Sequence, residues 1–212
     1  MIYFPYIYIH KGIFLCILTM NKQPSIRYNL IVAMCNNNGI GFKGKIPWHI
    51  KHDLQHFSKL TKGDGNNAIV MGSKTWYSLP IRSTNIIGLP DRDNFILSAS
   101  GKGKINIQHN KIIKSFQSID ELENYFHEED STYEDIWIIG GAQIYKYFLD
   151  NNKIQKCYIT YIDKNFECDV FFPDEVKTSD KWVELDRIST YDKNYDCSID
   201  YIVYENTTPI FI

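Results

Sequence analysis

Residues 49–61, HIKHDLQHFSKLT, put one carboxylate on an apolar stripe. Wound as a helix at about 100° per residue, they bring Ile50, Asp53, Leu54, Phe57, Leu60 and Thr61 onto one side. Asp53 is the only ionisable group of that stripe. Apolar neighbours disfavour a charged carboxylate, so its pKa should rise. A raised carboxyl suits a proton donor, or an anchor for a cationic or amide-like ligand. The plainer alternative is an Asp that bonds a backbone group at the helix edge.

The same helix carries His52 and His56 at i,i+4, with His49 just before it, a spacing that can hold zinc. Those two histidines fall on the face opposite the stripe, no third ligand is evident, and the residue between them is Asp rather than Glu. They are expected to be solvated surface groups, with no metal bound.

Two turns resemble phosphate sites. The apolar run 68–71 leads into Gly72-Ser73-Lys74-Thr75, and the run 135–139 leads into Gly140-Gly141-Ala142-Gln143. A helix start offers free N–H groups and a positive dipole end, and glycine lets an anion come close. Neither turn fits the dinucleotide fingerprint or the Walker pattern. Alone, each is equally well read as a packing glycine. Together, with Lys74 and Thr75, they favour a ligand with several phosphates, bound beyond the carboxyl ends of strands.

The elements that must position these groups alternate between strand and helix. Residues 28–35 (YNLIVAMC) read as a strand buried on both faces. Residues 36–47 are a loop rich in Gly and Asn. Helix 49–61 follows, then strand 68–71, a helix from Gly72 that ends before Pro80, and strand 94–98. Ser118 and Glu121 form a capping box ahead of a helix. Strand 135–139, helix 142–149 and strand 156–163 come next, and runs 182–189 and 198–205 read as an edge hairpin. No element is assigned between Ser98 and Ser118. The sum is an α/β fold with a mostly parallel sheet.

The balance of 23 basic against 25 acidic residues argues against an electrostatic nucleic-acid binder. Charged residues at 23% and aromatics at 15% exclude a disordered chain. The 5 cysteines are widely spaced without CxxC, as in a cytoplasmic protein with reduced thiols. Residues 1–19 are apolar but split by Pro5, His10 and Lys11, and make a poor secretory signal. They are expected to be an extension outside the native fold, with Met20 as the natural start; a membrane or targeting segment and an added folded piece stay open. The domain is expected over residues 27–205.

The motifs, in order, resemble dihydrofolate reductase: LIVAM with GIGFKGKIPWHIKHDLQHFSKLT, then IVMGSKTWYSLP, LPDRDNFILS, IWIIGGAQIY, YITYID, and Asp169 ahead of Phe172-Pro173. The resemblance covers almost the whole of residues 28–205. It implies a three-layer sandwich, a mostly parallel central sheet with helices on both faces and a C-terminal antiparallel hairpin. The implied reaction is NADPH-dependent reduction of 7,8-dihydrofolate to tetrahydrofolate, by hydride transfer to C6 and protonation at N5. Asp53, Trp48 and Thr160 would be the catalytic set, Asp53 holding the 2-amino group and N3 of the pteridine. Leu54, Phe57, Leu79 and Leu89 would wall the substrate, with Tyr145 beside it. Met34 and Ile139 would offer backbone carbonyls, and Arg92 would pair with the folate α-carboxylate. Trp48 and the loop 41–47 would form a lid over the nicotinamide. NADPH would lie against Ala33, Ile40, Gly41, Lys45, Gly72, Lys74, Thr75, Leu97, Ser98, Ser100, Gly140, Gly141, Ala142, Gln143, Ile144 and Tyr145.

Three features depart from common members of that family. Ser73 and Gln143 are neutral where basic residues often hold the cofactor's 2′-phosphate, so Lys74, Ser98, Ser100, Lys102 and Lys104 remain for it. Residues 79–89 carry a longer insert, in which Arg82 would add to the pocket mouth. The acid is Asp rather than Glu. The implied partners are dihydrofolate and antifolates such as methotrexate, with no nucleic acid and no membrane. The chain reads as a monomer, with a separate thymidylate synthase in the same pathway. A pyrimidine reductase of riboflavin synthesis and a non-catalytic folate- or RNA-binding relative stay open.

Overall fold

A computed structural model describes residues 27–79, 88–99, 106–108, 111–128 and 133–210. The sequence-read extension 1–19, Arg82, Ser100, Lys102 and Lys104 lie outside those residues. In chain order the elements are β1 (Tyr28–Cys35), β2 (Gly39–Gly41), α1 (Lys51–Lys62), β3 (Ala68–Gly72), α2 (Ser73–Ser78) and β4 (Asp93–Leu97). Then come β5 (Asn106–Gln108), β6 (Lys111–Phe116), α3 (Ile119–Glu128), β7 (Ile136–Ile138) and α4 (Ala142–Asp150). The last are β8 (Ile154–Ile162), β9 (Val170–Phe171), α5 (Glu175–Thr178), β10 (Trp182–Asp192) and β11 (Cys197–Asn206).

Nine strands form one sheet in the order β10-β11-β8-β1-β7-β3-β4-β6-β5, and β2 pairs with β9 apart from it. The central strands from β8 to β6 run parallel; β10, β11 and β5 are antiparallel additions at the two edges. After β1 the chain moves outward through β3, β4 and β6. It then returns to β7, beside β1, and crosses to β8 on the other side. Such a reversal of direction opens a crevice at the carboxyl ends of the strands.

Alternation along β1 sorts the core into layers. Leu30, Val32 and Met34 join Leu122 and Phe126 of α3 and Phe148 and Leu149 of α4 on one face. Ile31 joins Ile69, Met71, Trp137 and Ile139 on the other, under Phe57 and Leu60 of α1 and Trp76 of α2. Cys35 joins Trp48, Ile50, Ile162, Cys197 and Ile199 in a third cluster at the end of the strand. The three-layer arrangement agrees with the sequence reading. In the capping box of α3, the Glu121 N–H donates to Ser118 Oγ at 3.1 Å. The return arm of Glu121 accepts from the Gln117 N–H at 2.7 Å rather than from Ser118 itself.

Strands β5 and β6 were not expected. Their lysines and asparagines blunt the apolar pattern, as is common where a strand lies at or near a sheet edge. Residues 111–116 bury only Ile113 and Phe116 fully.

Candidate active site

The β1–β7 ladder ends at Leu30 and Ile138, although β1 continues to Cys35 and stays paired with β8 throughout. Beyond Leu30 the two neighbours part at their carboxyl ends. On the far side of the gap, β7 remains tied to β3: the Ile139 N–H donates to the Val70 carbonyl at 3.0 Å, and the Gly72 N–H to the Gly140 carbonyl at 2.7 Å. The Tyr145 hydroxyl reaches across and donates to the Ile31 carbonyl at 2.9 Å.

Asp53 sits above β1 and β8, 8% exposed, in the first turn of α1. Thr160 of β8 pairs in register with Ala33 of β1 and Tyr201 of β11, and its hydroxyl hydrogen-bonds the Asp53 carboxylate. Burial is the larger influence and raises the Asp53 pKa above the ordinary carboxylate range; the Thr160 bond and the charge of His52 pull it back only in part. The stripe read from the sequence faces inward as expected: Ile50 and Thr61 are buried, Phe57 and Leu60 half-buried. Leu54 is the exception, 43% exposed beside the acid.

Phe57, Leu79, Leu89 and Ile139 pack in one apolar cluster next to Asp53's helix. Met34 is fully buried on the opposite face of β1. Arg92, at the start of β4, is 1% exposed. Its Nε donates to the Pro90 carbonyl at 2.9 Å, and Nη1 donates to the Thr61 hydroxyl at the end of α1. Those contacts fix the plane of the guanidinium and join β4 to the helix that carries Asp53.

Trp48 is buried, its ring 5.1 Å from that of Phe166. The sequence reading made it part of a lid. Its ring packs at the root of the loop, in a cluster with Phe166, Ile162 and Ile199 from distant parts of the chain. The loop before it is a tight hairpin: Phe42 and Lys45 exchange backbone bonds at 2.8 and 3.0 Å, and Lys45 is exposed. Gly41 pairs with Val170, and Ile40 leans on the core.

The two glycine turns lie on adjacent strands, β3 and β7. Helices α2 and α4 begin there with Gly72 and Gly141 as N-caps, neither closed by a side chain. Gly140 has φ +105°, its peptide with Gly141 is cis, and a Cβ on it would stand 2.9 Å from the Tyr145 ring. A Cβ on Gly72 would meet Ile144 at 3.3 Å, and one on Gly141 would meet Thr75 Oγ1 at 3.4 Å. Thr75, Gly141 and Ile144 therefore come close together where the two helices start, forming a narrow cradle. That cradle fits the pyrophosphate of a dinucleotide. Lys74 and Gln143 are exposed at its rim, Ala142 is half-buried, Leu97 is buried, and half-buried Ser98 donates its N–H to the Phe116 carbonyl at 2.9 Å.

The histidines need a correction. His52 and His56 are half-buried rather than fully solvated. His52 lies 3.9 Å from the Asp192 carboxylate, and the His56 ring is 4.2 Å from that of Tyr201. The C-terminal hairpin, far off in sequence, covers that face of α1. Burial, then Lys59, lowers the His56 pKa. Among the described residues, no group of three or more His, Cys, Asp or Glu side chains is placed to hold a metal ion. No helix among them is long and apolar enough to cross a membrane.

A family model described as dihydrofolate reductase matches residues 27–206. Over 154 residues the chain is 38% identical to a dihydrofolate reductase of Drosophila melanogaster, covering 70% of this chain and 80% of that one. It is 34% identical to the dihydrofolate reductase of Aedes albopictus over 162 residues, 70% of this chain and 80% of the relative. A bifunctional dihydrofolate reductase-thymidylate synthase of Daucus carota is 35% identical over 159 residues, which are 71% of this chain but 29% of that protein.

Proposed function

The chain belongs to the dihydrofolate reductase family, and on that premise we propose that its crevice between β1 and β7 reduces 7,8-dihydrofolate to tetrahydrofolate with NADPH as reductant. The observation that carries this reading is Asp53: a buried carboxylate, bonded by Thr160, at the mouth of a gap in a parallel sheet. A pteridine presents an amino group and a ring N–H on one edge. One carboxylate accepts both, and burial makes that pairing stronger than it would be in water.

The aliphatic and aromatic wall of Phe57, Leu79, Leu89 and Ile139 takes the flat rings and keeps water from their faces. Exposed Leu54 gives the ligand's middle section an apolar surface to cover. Arg92, already oriented by Pro90 and Thr61, is the cation that would pair with the folate α-carboxylate. The carbonyl edge of β1, from which Ile31 accepts the Tyr145 hydroxyl, borders the reacting ring.

NADPH, when bound, supplies the hydride that C6 receives. The residues that hold it are Gly72, Thr75, Gly140, Gly141 and Ile144 at the two helix starts, with Ala33, Ile40 and Gly41 on the β1 side and Lys74, Leu97 and Ser98 toward the adenosine. Ser73 is half-buried and Gln143 exposed, both neutral, so Lys74 carries the attraction for the 2′-phosphate. Asp53 sets the ring and favours positive charge developing on it. The N5 proton comes from solvent as the β2 hairpin moves, since Asp53 grips the other edge of the heterocycle.

The test is direct. Purified protein should oxidise NADPH only when dihydrofolate is added, and methotrexate should stop it. Turnover of a ribosylated diaminopyrimidinone instead would point to the riboflavin-pathway reaction.

A further inference from the structure

Cys35 closes β1, and Cys168 lies two residues before β9. Their sulfurs are 3.8 Å apart, across 133 residues of chain. Gly39 of β2 is wedged against both. A Cβ there would stand 2.5 Å from the Cys168 sulfur and 2.9 Å from that of Cys35. The active-site hairpin and the thiol pair are thus in contact, with no side chain between them. Cys35 is fully buried, whereas Cys168 is partly exposed.

The neighbouring residues tie this pair to the hairpin over the crevice. The Asp169 N–H donates to the Gly41 carbonyl at 3.0 Å, and the Asp169 carboxylate accepts from the Lys43 N–H at 3.0 Å. Gly39 and Gly41 pair with Phe171 and Val170, and the Phe172 N–H donates to the Asn38 carbonyl at 2.8 Å. Whatever fixes Cys168 fixes the strand on which the hairpin rests.

We propose that Cys35 and Cys168 form an oxidisable dithiol site, which a glutathione-type disulfide converts to a protein disulfide that locks the β2 hairpin. The partly exposed Cys168 thiolate attacks one sulfur of the small disulfide and releases one small thiolate. Cys35 then loses its proton and attacks the Cys168 sulfur, releasing the second. Two protein thiols and one small disulfide become one protein disulfide and two small thiols, which carry off the protons and the electron pair. The sulfurs need to close to about 2 Å, a short movement for a loop residue beside a fixed strand end. Burial, then the hydrogen bond shared with Cys35, pushes the Cys168 thiol up to about 11, so exchange is faster at pH 9 than at pH 7. The effect on turnover rests on the reductase reading; the chemistry of the pair does not.

The experiment incubates the full chain with oxidised glutathione at pH 9, quenches it with an alkylating agent and maps the peptides. The expected result is loss of both thiols, a mass lower by two hydrogens, a Cys35–Cys168 crosslink and full reversal by dithiothreitol. Cys168→Ser should lose no thiol at Cys35, and Cys35→Ser should stop as a stable glutathione adduct on Cys168. A lasting adduct on the unaltered chain, or no reaction at either residue, overturns the site. Dihydrofolate turnover should fall roughly threefold or more on oxidation and return on reduction. Equal turnover in the two states overturns the lock; a crosslink in a chain with no turnover in either state overturns the reductase reading and leaves the site standing.

Discussion

Asp53 on α1 and Thr160 on β8 share a hydrogen bond across the boundary between helix layer and sheet, at the end of the strand where β1 and β7 part. That contact ties the carboxylate to β8, the strand beside β1. Burial and the Thr160 hydroxyl act on its proton in opposite directions, and burial prevails.

Replacing Asp53 with Asn keeps the shape and removes the charge. Turnover near pH 7 should fall by about 10²–10⁴-fold, the range for loss of a group that manages a proton in the transition state. NADPH binding should be unchanged. Activity should recover partly as pH falls, because the ring then takes its proton from solvent without a carboxylate to favour it. Steady-state rates from pH 5 to 8 check this; an unaltered rate at pH 7 would remove Asp53 from the mechanism.

The same residue sets a pH dependence of stability. Its folded pKa is raised, so between the unfolded value of about 3.9 and the folded one the native state holds a proton that the unfolded chain has lost. That contribution is complete below the unfolded value and disappears as pH rises through the folded one. Asp53→Asn should therefore match the unaltered chain at low pH and gain on it by pH 8, without ligands. In a domain of this size each kcal/mol gained appears as roughly 2–4 °C in Tm. Melting curves at pH 4 and pH 8 give the comparison.

Much of this was legible because local and global signals agreed. The stripe on residues 49–61 singled out Asp53 by periodicity alone, and burial of Ile50 and Thr61 around it follows from the same pattern. The two glycine turns could be read as a pair, but their closeness depends on β3 and β7 being neighbours, which only the sheet order supplies. The role of His52 and His56 was hidden for a related reason. Their partners, Asp192 and Tyr201, come from a hairpin more than a hundred residues away, and no helical wheel contains it. The contact of Trp48 with Phe166 was hidden in the same way, since the two lie more than a hundred residues apart. The β1–β7 gap left no mark in sequence, since YNLIVAMC reads as one uninterrupted strand.

Arg92 separates charge from geometry. Arg92→Lys keeps a cation but loses the planar fork, along with the donor to the Pro90 carbonyl. The dihydrofolate KM should rise about tenfold or more, and the NADPH KM should stay within about twofold. Stability should fall by about 1–3 kcal/mol, because the Pro90 carbonyl loses its bond from Arg92 and the Thr61 hydroxyl loses a donor. Equal damage to both KM values would mean that Arg92 only braces β4 against α1.

Tyr145 and Gly140 test the far wall of the gap from two sides. Tyr145→Phe leaves the ring in place beside Gly140 and removes only the hydroxyl, so the Ile31 carbonyl loses its bond from that side of β1. The cost should be about 1–2 kcal/mol, with folding intact. Gly140→Ala is more severe: φ +105° is a region that alanine rarely adopts, and the new Cβ would press on the Tyr145 ring at 2.9 Å. It should cost about 2 kcal/mol or more and weaken NADPH far more than dihydrofolate, since the helix start that it distorts is the one proposed to hold the cofactor. The double variant Gly140→Ala with Tyr145→Leu frees the space but not the backbone. If it recovered NADPH affinity in full, the steric contact would be the cause; if it recovered little, the backbone conformation at Gly140 would be what the cofactor reads.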